Sequence, residues 1–205
     1  MLATRNRGKL AEYRRLLGGA GVALLDLDEA GVGEEVEEDG ATFLANASRK
    51  AREYARLARL PVLADDSGLV VDALGGDPGV RSARFGGPGL DDAGRIRHLL
   101  ARLGGVADRR ARFVCVIALA RPGGPAARVY LGQCDGRIGR EPRGPGGFGY
   151  DPVFVLPDGR TMAELPDGEK DQISHRGLAV AELLAQLDLA AWAAVAAPPV
   201  TSQAT

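Results

Sequence analysis

The sequence predicts a mixed α/β protein, and three observations support that fold class. Some segments carry apolar residues at helical spacing, whereas others are short apolar runs typical of strands. The two kinds of segment interleave without a regular βαβ repeat, which argues against a Rossmann fold. The chain has 205 residues, of which 45% are hydrophobic, and this is enough for a core in one domain or in two closely fused lobes.

Apolar stripes and capping residues predict four main helices. The predicted helical ranges are 8–17, 42–60, 91–103 and 174–187. Gly18 and Gly19 end the first helix, and Thr42 caps the second, which stops before Pro61. Ser174 caps the last helix.

Short apolar runs predict the strands, and small or polar residues predict the connections between them. The predicted strands are 2–4, 22–27, 62–64, 69–71, 112–121, 128–138 and 153–155. We expect a tight turn at residues 65–68, a hairpin linker at 122–125 and glycine-rich loops at 75–88 and 139–150. Residues 1–197 are expected to form one domain of two lobes, and residues 198–205 a disordered tail.

Composition excludes several classes of protein. The formal net charge is -1, which argues against general binding to nucleic acid or to a membrane surface. The longest apolar run, 189–200, contains Pro198 and Pro199 and is shorter than the roughly 20 residues that span a bilayer. No apolar segment follows the basic N-terminus, so no signal peptide is indicated. Cys115 and Cys134 are too few for a disulfide scaffold, and we expect buried thiols in the cytoplasm.

Lysine is scarce in this chain, and the scarcity draws attention to particular positions. Of the 26 basic residues, 23 are Arg and only Lys9, Lys50 and Lys170 are Lys. Such positions are candidates for sites that need a compact ammonium group, although chance could also leave three lysines. The two asparagines, Asn6 and Asn46, lie shortly before Lys9 and Lys50.

The first candidate site is the loop between the first predicted strand and the first helix. It combines a hydroxyl, an amide, cationic side chains and the N–H groups of a helix N-terminus, which together can cradle a phosphate chain. An ordinary basic helix start is the alternative, and the Walker spacing is absent. The residues of this loop are Thr4, Arg5, Asn6, Arg7, Gly8 and Lys9.

Carboxylates mark the second and third candidate sites. Glu38 lies in an acidic stretch, 34–39, before the helix that carries Asn46 and Lys50, and Asp66 lies in the turn predicted at residues 65–68. Glu38 and Asp66 could hold Mg²⁺, which prefers one or two carboxylates plus substrate phosphates, while Lys50 contacts phosphate. A helix-dipole effect for the acidic run and a surface turn for Asp66 are the alternatives.

The fourth candidate site is the glycine-rich segment around Phe148, Gly149, Tyr150 and Asp151. An aromatic ring among glycines can lie flat against a planar base, and a carboxylate offers acceptors to a base edge. A glycine-rich turn with an aromatic residue in the core is an equally good interpretation of the pattern.

The fifth candidate site opens the last helix. Lys170 could reach a phosphate or a ring oxygen, and Arg176, which follows His175, could donate to a keto oxygen. The spacing of histidines and hydroxyls predicts no catalytic triad, and no Cys/His cluster predicts a zinc site.

Taken together, these segments resemble one family, the inosine triphosphate pyrophosphatases, also called dITP/XTP diphosphatases. Each motif is weak alone, but the set is specific, because it follows the family's order over residues 2 to about 187. The matching motifs are A-T-R-N-R-G-K at 3–9, E-E-D-G-A-T-F-L-A-N-A at 37–47, L-A-D-D-S-G-L at 63–69, G-G-D-P-G-V-R-S-A-R-F at 75–85, G-G-F-G-Y-D-P-V-F at 146–154, and M-A-E-L with I-S-H-R-G within 162–177. Arg5, where the family often has a small residue, and the short first strand are departures.

The resemblance implies a twisted central sheet with helices on both sides and two lobes around a cleft. It also implies Mg²⁺-dependent hydrolysis of a nucleoside triphosphate to the monophosphate and pyrophosphate, with Asp66 as general base and metal ligand and Glu38 as the second metal carboxylate. The triphosphate would be held by residues 4–9, Lys50 and Ser67. The base and sugar would be held by Phe148, Gly149, Tyr150, Asp151, Lys170, His175 and Arg176.

The resemblance further implies a homodimer and substrates such as ITP, dITP and XTP, which carry a keto oxygen at purine C6. A donor such as Arg176 facing that position would reject the amino group of adenine. Two alternatives stay open at this point: an enzyme of the same fold group acting on other modified nucleotides, and a catalytically silent nucleotide-binding module.

Overall fold

The computed structural model describes residues 1–124 and 127–194. The predicted tail at 198–205 and the end of the predicted hairpin linker at 125 lie outside the described residues. No helix in the described part of the chain combines the length and the apolar character that crossing a membrane requires.

The helices are α1 (Arg7–Leu16), α2 (Phe43–Ala58), α3 (Asp92–Arg102), α4 (Asp167–Ile173), α5 (His175–Gln186) and α6 (Leu189–Ala194). Capping side chains start the first three, and the cap of α2 by Thr42 is as predicted from sequence. The Thr42 and Asp91 side chains accept hydrogen bonds from the first-turn amides of α2 and α3, and Asn6 does the same for α1. The hydroxyl of Ser174 accepts a hydrogen bond from the Gly177 amide and so caps α5.

The strands are β1 (Val62–Val71), β2 (Arg110–Ala120), β3 (Arg128–Ile138) and β4 (Phe154–Val155). They form one sheet in the order β1-β2-β3-β4, in which β3 and β4 are antiparallel. Leu2 adds a single parallel bridge to Leu63. The predicted mixed α/β class is therefore confirmed.

The chain divides into two compact units. Among the described residues, unit 1 comprises 1–66, 116–124, 127–130 and 180–194, and unit 2 comprises 67–115 and 131–179. Within unit 1, α1, α2 and the first half of β1 contribute buried apolar residues such as Tyr13, Ala51 and Val62. Within unit 2, the core is a cluster that includes Leu69, Leu99, Phe113, Phe154 and Met162.

The turn predicted at residues 65–68 is wrong, because β1 runs without interruption through these positions. Asp65 and Asp66 are buried within the strand, and each carboxylate has a polar partner that offsets the cost of burial. A Cβ at Gly68 would overlap the hydroxyl of Ser82, so glycine allows this segment to approach β1 closely.

The strands predicted at 22–27 and 2–4 are also wrong. Residues 22–26 have no regular secondary structure, and the Leu2 amide donates one hydrogen bond to the Leu25 carbonyl. Leu2 forms only its bridge to Leu63. An apolar run predicts burial here, but only a neighbour with a full hydrogen-bond ladder makes a strand.

Unit 2 also contains short 3-10 helices at Asp72–Leu74, Gly79–Arg84, Asp151–Val153 and Met162–Glu164. Three of these lie in or directly next to segments that the sequence predicts as glycine-rich loops. The Gly79–Arg84 helix buries Ser82, whose hydroxyl donates to the Gly79 carbonyl and accepts from the Leu69 amide. This helix therefore fixes the second half of β1.

Gly132 of β3 packs directly against the first turns of α5. A Cβ at this position would overlap the carbonyl oxygen of His175 and the amide nitrogen of Ala179. Because both atoms belong to the backbone, no side-chain rotation can relieve the overlap.

We therefore expect Gly132→Ala to lower the free energy of unfolding by roughly 2 kcal/mol or more, through overpacking. The measurement is chemical denaturation of the purified variant. Gly33→Ala is the matched control, because no atom lies within 4 Å of the added methyl group. Equal stability of the two variants would show that β3 and α5 separate without cost.

Candidate active site

The loop at residues 4–9 is organised around the N-terminus of α1. The Thr4 hydroxyl accepts a hydrogen bond from the Asn6 amide at 3.1 Å, and the Asn6 side chain accepts one from the Lys9 amide at 3.0 Å. Helix geometry leaves the first-turn N–H groups of α1 without intrahelical acceptors. Together with the positive end of the helix dipole, these groups form a site suited to an anion.

The side chain of Arg5 has a different role from its neighbours. Its guanidinium donates to the Asp28 carboxylate at 2.7 Å and to the backbone carbonyls of Val32 and Gly33. Arg5 therefore anchors residues 28–33 to the loop, and its side chain is not directed to the helix N-terminus. Arg7 is exposed at the first position of α1.

The two lysines of unit 1 each pair with a carboxylate. The Lys9 ammonium lies 2.9 Å from Asp65, whose side chain is fully buried, and the Lys50 ammonium lies 3.0 Å from Glu38. Lys50 is itself buried on α2. Burial alone would lower the pKa of Lys50, but the nearby charges of Asp65, Glu38 and Asp66 outweigh it and raise the pKa.

Asn46 links Asp66 to the acidic segment before α2. Its amide nitrogen donates to Asp66 Oδ2 at 2.8 Å, and its oxygen accepts a hydrogen bond from the Gly40 amide at 2.8 Å. Asn46 is fully buried, and its bond to Asp66 is shielded from water. Sequence analysis singled out Asn46 for its scarcity but gave it no role; the structure makes it the residue that positions Asp66.

The carboxyl of Asp66 is the titratable group with the most functional interest in unit 1. Burial raises its pKa from 3.8 to about 6, against the opposing effects of the Asn46 hydrogen bond and of Lys50 and Lys9, while Glu38 adds to the rise. A carboxylate with a pKa close to neutral can accept a proton and release it again at physiological pH. This is the property that a general base requires.

Glu38 and Asp66 are the side chains that fit a divalent metal. The charge of Glu38 adds to the rise in the pKa of Asp66, and a cation between the two carboxylates would relieve this repulsion. Within residues 1–124 and 127–194, no group of three or more His, Cys, Asp or Glu is arranged to hold a metal.

In unit 2, Phe148 lies next to two buried cations. The ammonium of Lys170 is 5.1 Å from the centre of its ring, and the guanidinium of Arg176 is 5.7 Å away. Arg176 also donates to the Ser67 hydroxyl at 2.9 Å. These contacts bring four predicted binding residues of unit 2 together and make a positively charged environment around an aromatic face.

Asp151 holds the glycine-rich loop in place. Its Oδ2 atom accepts hydrogen bonds from the Lys170 ammonium at 2.5 Å and from the Phe148 amide at 2.9 Å. A Cβ at Gly147 would overlap the same carboxylate, and the backbone there has a φ of 71°, which favours glycine. The buried Asp151–Lys170 pair therefore sets the position of Phe148.

The remaining predicted residues of unit 2 support the loop and the start of α5. The Tyr150 hydroxyl donates to the Ser82 carbonyl at 2.9 Å, and burial raises the pKa of Tyr150, so it stays protonated. The Gly149 amide donates to Asp92 at 2.7 Å. The His175 ring stacks on Phe113, with ring centres 4.7 Å apart.

Three supporting residues have no signal that sequence reasoning could use. Ser82 lies inside one of the quoted motifs but received no role, and Asp92 looks like an ordinary first-turn acid of a helix. Phe113 belongs to an apolar strand, where a ring that stacks on histidine cannot be told from any core residue. In each case the partner is distant in sequence, as with Tyr150 and Ser82, which are 68 positions apart.

Three features are typical of an α/β enzyme that binds nucleotides. They are the N-terminus of α1 with lysines nearby, the carboxylates of Glu38 and Asp66, and the Phe148 ring with its two neighbouring cations. Comparison with known proteins gives the family. The Ham1 family model matches residues 1–186, and the chain belongs to this family. The family resemblance expected from the motifs is thus confirmed.

Relatives of known name cover most of the chain. A protein of Syntrophobacter fumaroxidans named dITP/XTP pyrophosphatase is 51% identical over 92% of this chain and 81% of its own length. A protein of the same name from Symbiobacterium thermophilum is 52% identical over 91% of this chain and 93% of its own length. The solved structure of a HAM1 protein from Coxiella burnetii matches with a TM-score of 0.83 and 45% identity, covering 91% of this chain and 98% of that one.

The pKa of Asp66 predicts how its replacement changes stability with pH. In the folded protein the pKa is about 6, above its ordinary value of 3.8, so the folded state binds more protons between these values and loses stability as the pH rises. The full loss corresponds to about 3 kcal/mol. In EDTA, we therefore expect Asp66→Asn to gain free energy of unfolding relative to the parent as the pH increases from about 4 to 7.

The matched control is Asp158→Asn. Hydrogen bonds from the backbone and side chain of Arg160 lower the pKa of this exposed carboxyl, so its replacement should bring no gain as the pH rises. Denaturant titrations at several pH values provide the measurement. A pH-independent difference between Asp66→Asn and the parent would mean that folding does not raise the pKa of Asp66.

Proposed function

We propose that this chain is a nucleoside-triphosphate pyrophosphohydrolase that converts dITP, XTP and ITP to the monophosphate and pyrophosphate. The names of its relatives support this reaction and these substrates. The observation that carries the proposal is the buried Asp66, oriented by Asn46 and surrounded by Lys9, Lys50 and Glu38. The cellular role is removal of deaminated purines from the nucleotide pool.

Asp66 acts as the general base. It accepts a proton from a water molecule whose oxygen attacks the α-phosphorus. A new P–O bond forms, the bond from the α-phosphorus to the oxygen that bridges to the β-phosphorus breaks, and pyrophosphate leaves with that bonding electron pair. Asp66 then releases the proton to solvent, which its pKa of about 6 permits at neutral pH.

Mg²⁺, held by Glu38 and Asp66, would supply charge neutralisation at the phosphate oxygens and would lower the pKa of a bound water. The two carboxylates offer oxygen ligands of the kind that Mg²⁺ prefers, and a cation would relieve the repulsion through which Glu38 raises the pKa of Asp66. Asn46 keeps the Oδ2 atom of Asp66 in a fixed position and so directs its other oxygen.

The triphosphate is held by the amides at the start of α1, by the Thr4 and Asn6 side chains and by Arg7, Gly8, Lys9 and Lys50. Phosphoryl transfer depends mainly on positioning and on neutralising charge, so these groups stabilise the transition state by being fixed in advance. The capping bonds of Asn6 and Thr4 provide that fixation. Arg5 contributes through its backbone and through the loop that it anchors.

The base is recognised by unit 2. Phe148 offers an aromatic face, and the Asp151–Lys170 pair fixes the ring. Arg176 donates to the keto oxygen at purine C6, and Ser67, His175, Gly149 and Tyr150 keep the donor and the loop in position. Adenine carries an amino group at C6, which is a hydrogen-bond donor. Opposite Arg176, which is also a donor, it would leave both buried groups without an acceptor.

We also propose a homodimer in the cytoplasm, as the family resemblance implies. The thiols of Cys115 and Cys134 are buried and form no disulfide bond, which suits a reducing compartment. Burial raises the pKa of Cys134 to about 11, so this thiol stays protonated and unreactive at neutral pH.

Pyrophosphate release from ITP, dITP, XTP, ATP, GTP and dTTP, with Mg²⁺ and with EDTA, tests the proposal. We expect metal-dependent release that is strong for ITP, dITP and XTP and weak for ATP and dTTP. Asp66→Asn should lower kcat by roughly 100-fold or more while substrate still binds, because it removes the general base. Release of single phosphate would place the attack at a different phosphorus, and no turnover with any nucleotide would favour a silent binding module.

Arg176 should determine specificity. We expect Arg176→Gln to lower kcat/KM for ITP by roughly 100-fold and to affect ATP far less, because only the keto substrate uses the charged donor. Arg128→Gln, an exposed arginine at the start of β3, is the control and should match the parent. Arg176→Lys keeps the charge and checks that the protein folds. An equal loss for ITP and ATP would assign Arg176 to positioning alone.

A further inference from the structure

Unit 2 contains a cavity of about 580 Å³ that none of the predicted site residues lines. It lies beside the start of β2, the end of β3 and the beginning of the loop that follows β3. The cavity is distinguished by its arginines, which come from two separate segments of the chain. They are Arg109, Arg110, Arg137, Arg140 and Arg143.

Two of these arginines are already neutralised. Arg110 pairs with Asp108 at 2.7 Å, and Arg143 lies 3.6 Å from Glu164 and donates to the Gly159 carbonyl. These contacts fix the rim of the cavity. The net charge of the cavity is therefore determined by Arg109, Arg137 and Arg140 and by Glu141, the second acidic residue of the lining.

Arg109 is held in place by neutral acceptors. Its three guanidinium nitrogens donate to the backbone carbonyls of Ile138, Leu103 and Gly139 at 2.8, 3.0 and 2.6 Å. In the described ranges, no ion pair joins a carboxylate to Arg109, Arg137 or Arg140. Burial lowers the pKa of Arg109, and the positive charge of Arg140 lowers it further.

A concave site that holds mutually repelling guanidiniums gains stability when an anion occupies it. Arginine forks match phosphate oxygens in a bidentate geometry. The volume falls within the range of small-ligand sites and exceeds what one phosphate needs. These properties favour an anion with several charges spread over a short chain.

We propose that this cavity is a second anion site, which binds a chain of two or three phosphates through Arg109, Arg137 and Arg140. The chain is either free pyrophosphate or the phosphate tail of a nucleotide, since both present the same oxygens. The site does not depend on the proposed function, because its ligand is defined by the arginines alone. All of its lining belongs to unit 2, whereas the loop at residues 4–9 and Lys50 belong to unit 1.

Calorimetric titration of the full-length chain in EDTA tests the site, with pyrophosphate, ATP and AMP as probes. We expect pyrophosphate to bind in two classes of site. The double variant Arg137→Gln/Arg140→Gln should weaken one class by roughly tenfold or more and leave the other unchanged. Lys9→Gln should weaken only the other class. ATP binding at the cavity without pyrophosphate binding there would identify the nucleotide tail as the ligand, and AMP should bind weakly to both classes.

The control variant is Arg56→Gln, an exposed arginine of α2 that pairs with Glu53 and does not line the cavity. It should bind pyrophosphate as the parent does. If Arg56→Gln weakens pyrophosphate binding as much as the double variant does, the effect comes only from the loss of positive charge on the protein, and the proposal is overturned. Unchanged binding in the double variant, or loss of both classes in Lys9→Gln, would also overturn it. Because turnover is not measured, failure here leaves the proposed reaction untouched.

Discussion

The burial of Asp65 and Asp66 in the middle of β1 is the constraint on which the rest of unit 1 depends. Two adjacent carboxylates within a strand cost several kcal/mol unless partners compensate for lost hydration. Lys9 from α1 and Asn46 from α2 supply those partners, so both helices must lie where their side chains reach the strand. The fold of unit 1 and the chemistry of Asp66 therefore have the same cause.

The two adjacent carboxylates of β1 have different partners. Asp65 faces the ammonium of Lys9 and is fully buried, whereas Asp66 receives a neutral amide and has a pKa of about 6. A cation beside a carboxylate favours its charged form, and burial without a cation in direct contact disfavours it. The negative charges of Asp65 and Asp66 both raise the pKa of Lys50.

Unit 2 uses buried charge for a different purpose. The Asp151–Lys170 pair has both side chains almost fully buried, and it holds the Phe148 loop by accepting a backbone amide. Removing either partner would leave a buried charge without its counterion, which is why such pairs fix one conformation. The stack of His175 on Phe113 and the contact of Gly132 with α5 fix the start of that helix in the same unit.

The sequence by itself determined the fold class, the ends of the capped helices and the family, because capping residues, apolar periodicity and ordered motifs act over short distances along the chain. It also identified the residues that carry charge at the site. Tertiary structure decided how they pair: that residues 65–68 continue a strand, that Arg5 turns to Asp28, that Asn46 orients Asp66, and that Ser82 receives Tyr150. These outcomes rest on contacts between distant segments, whose energies a local pattern does not contain.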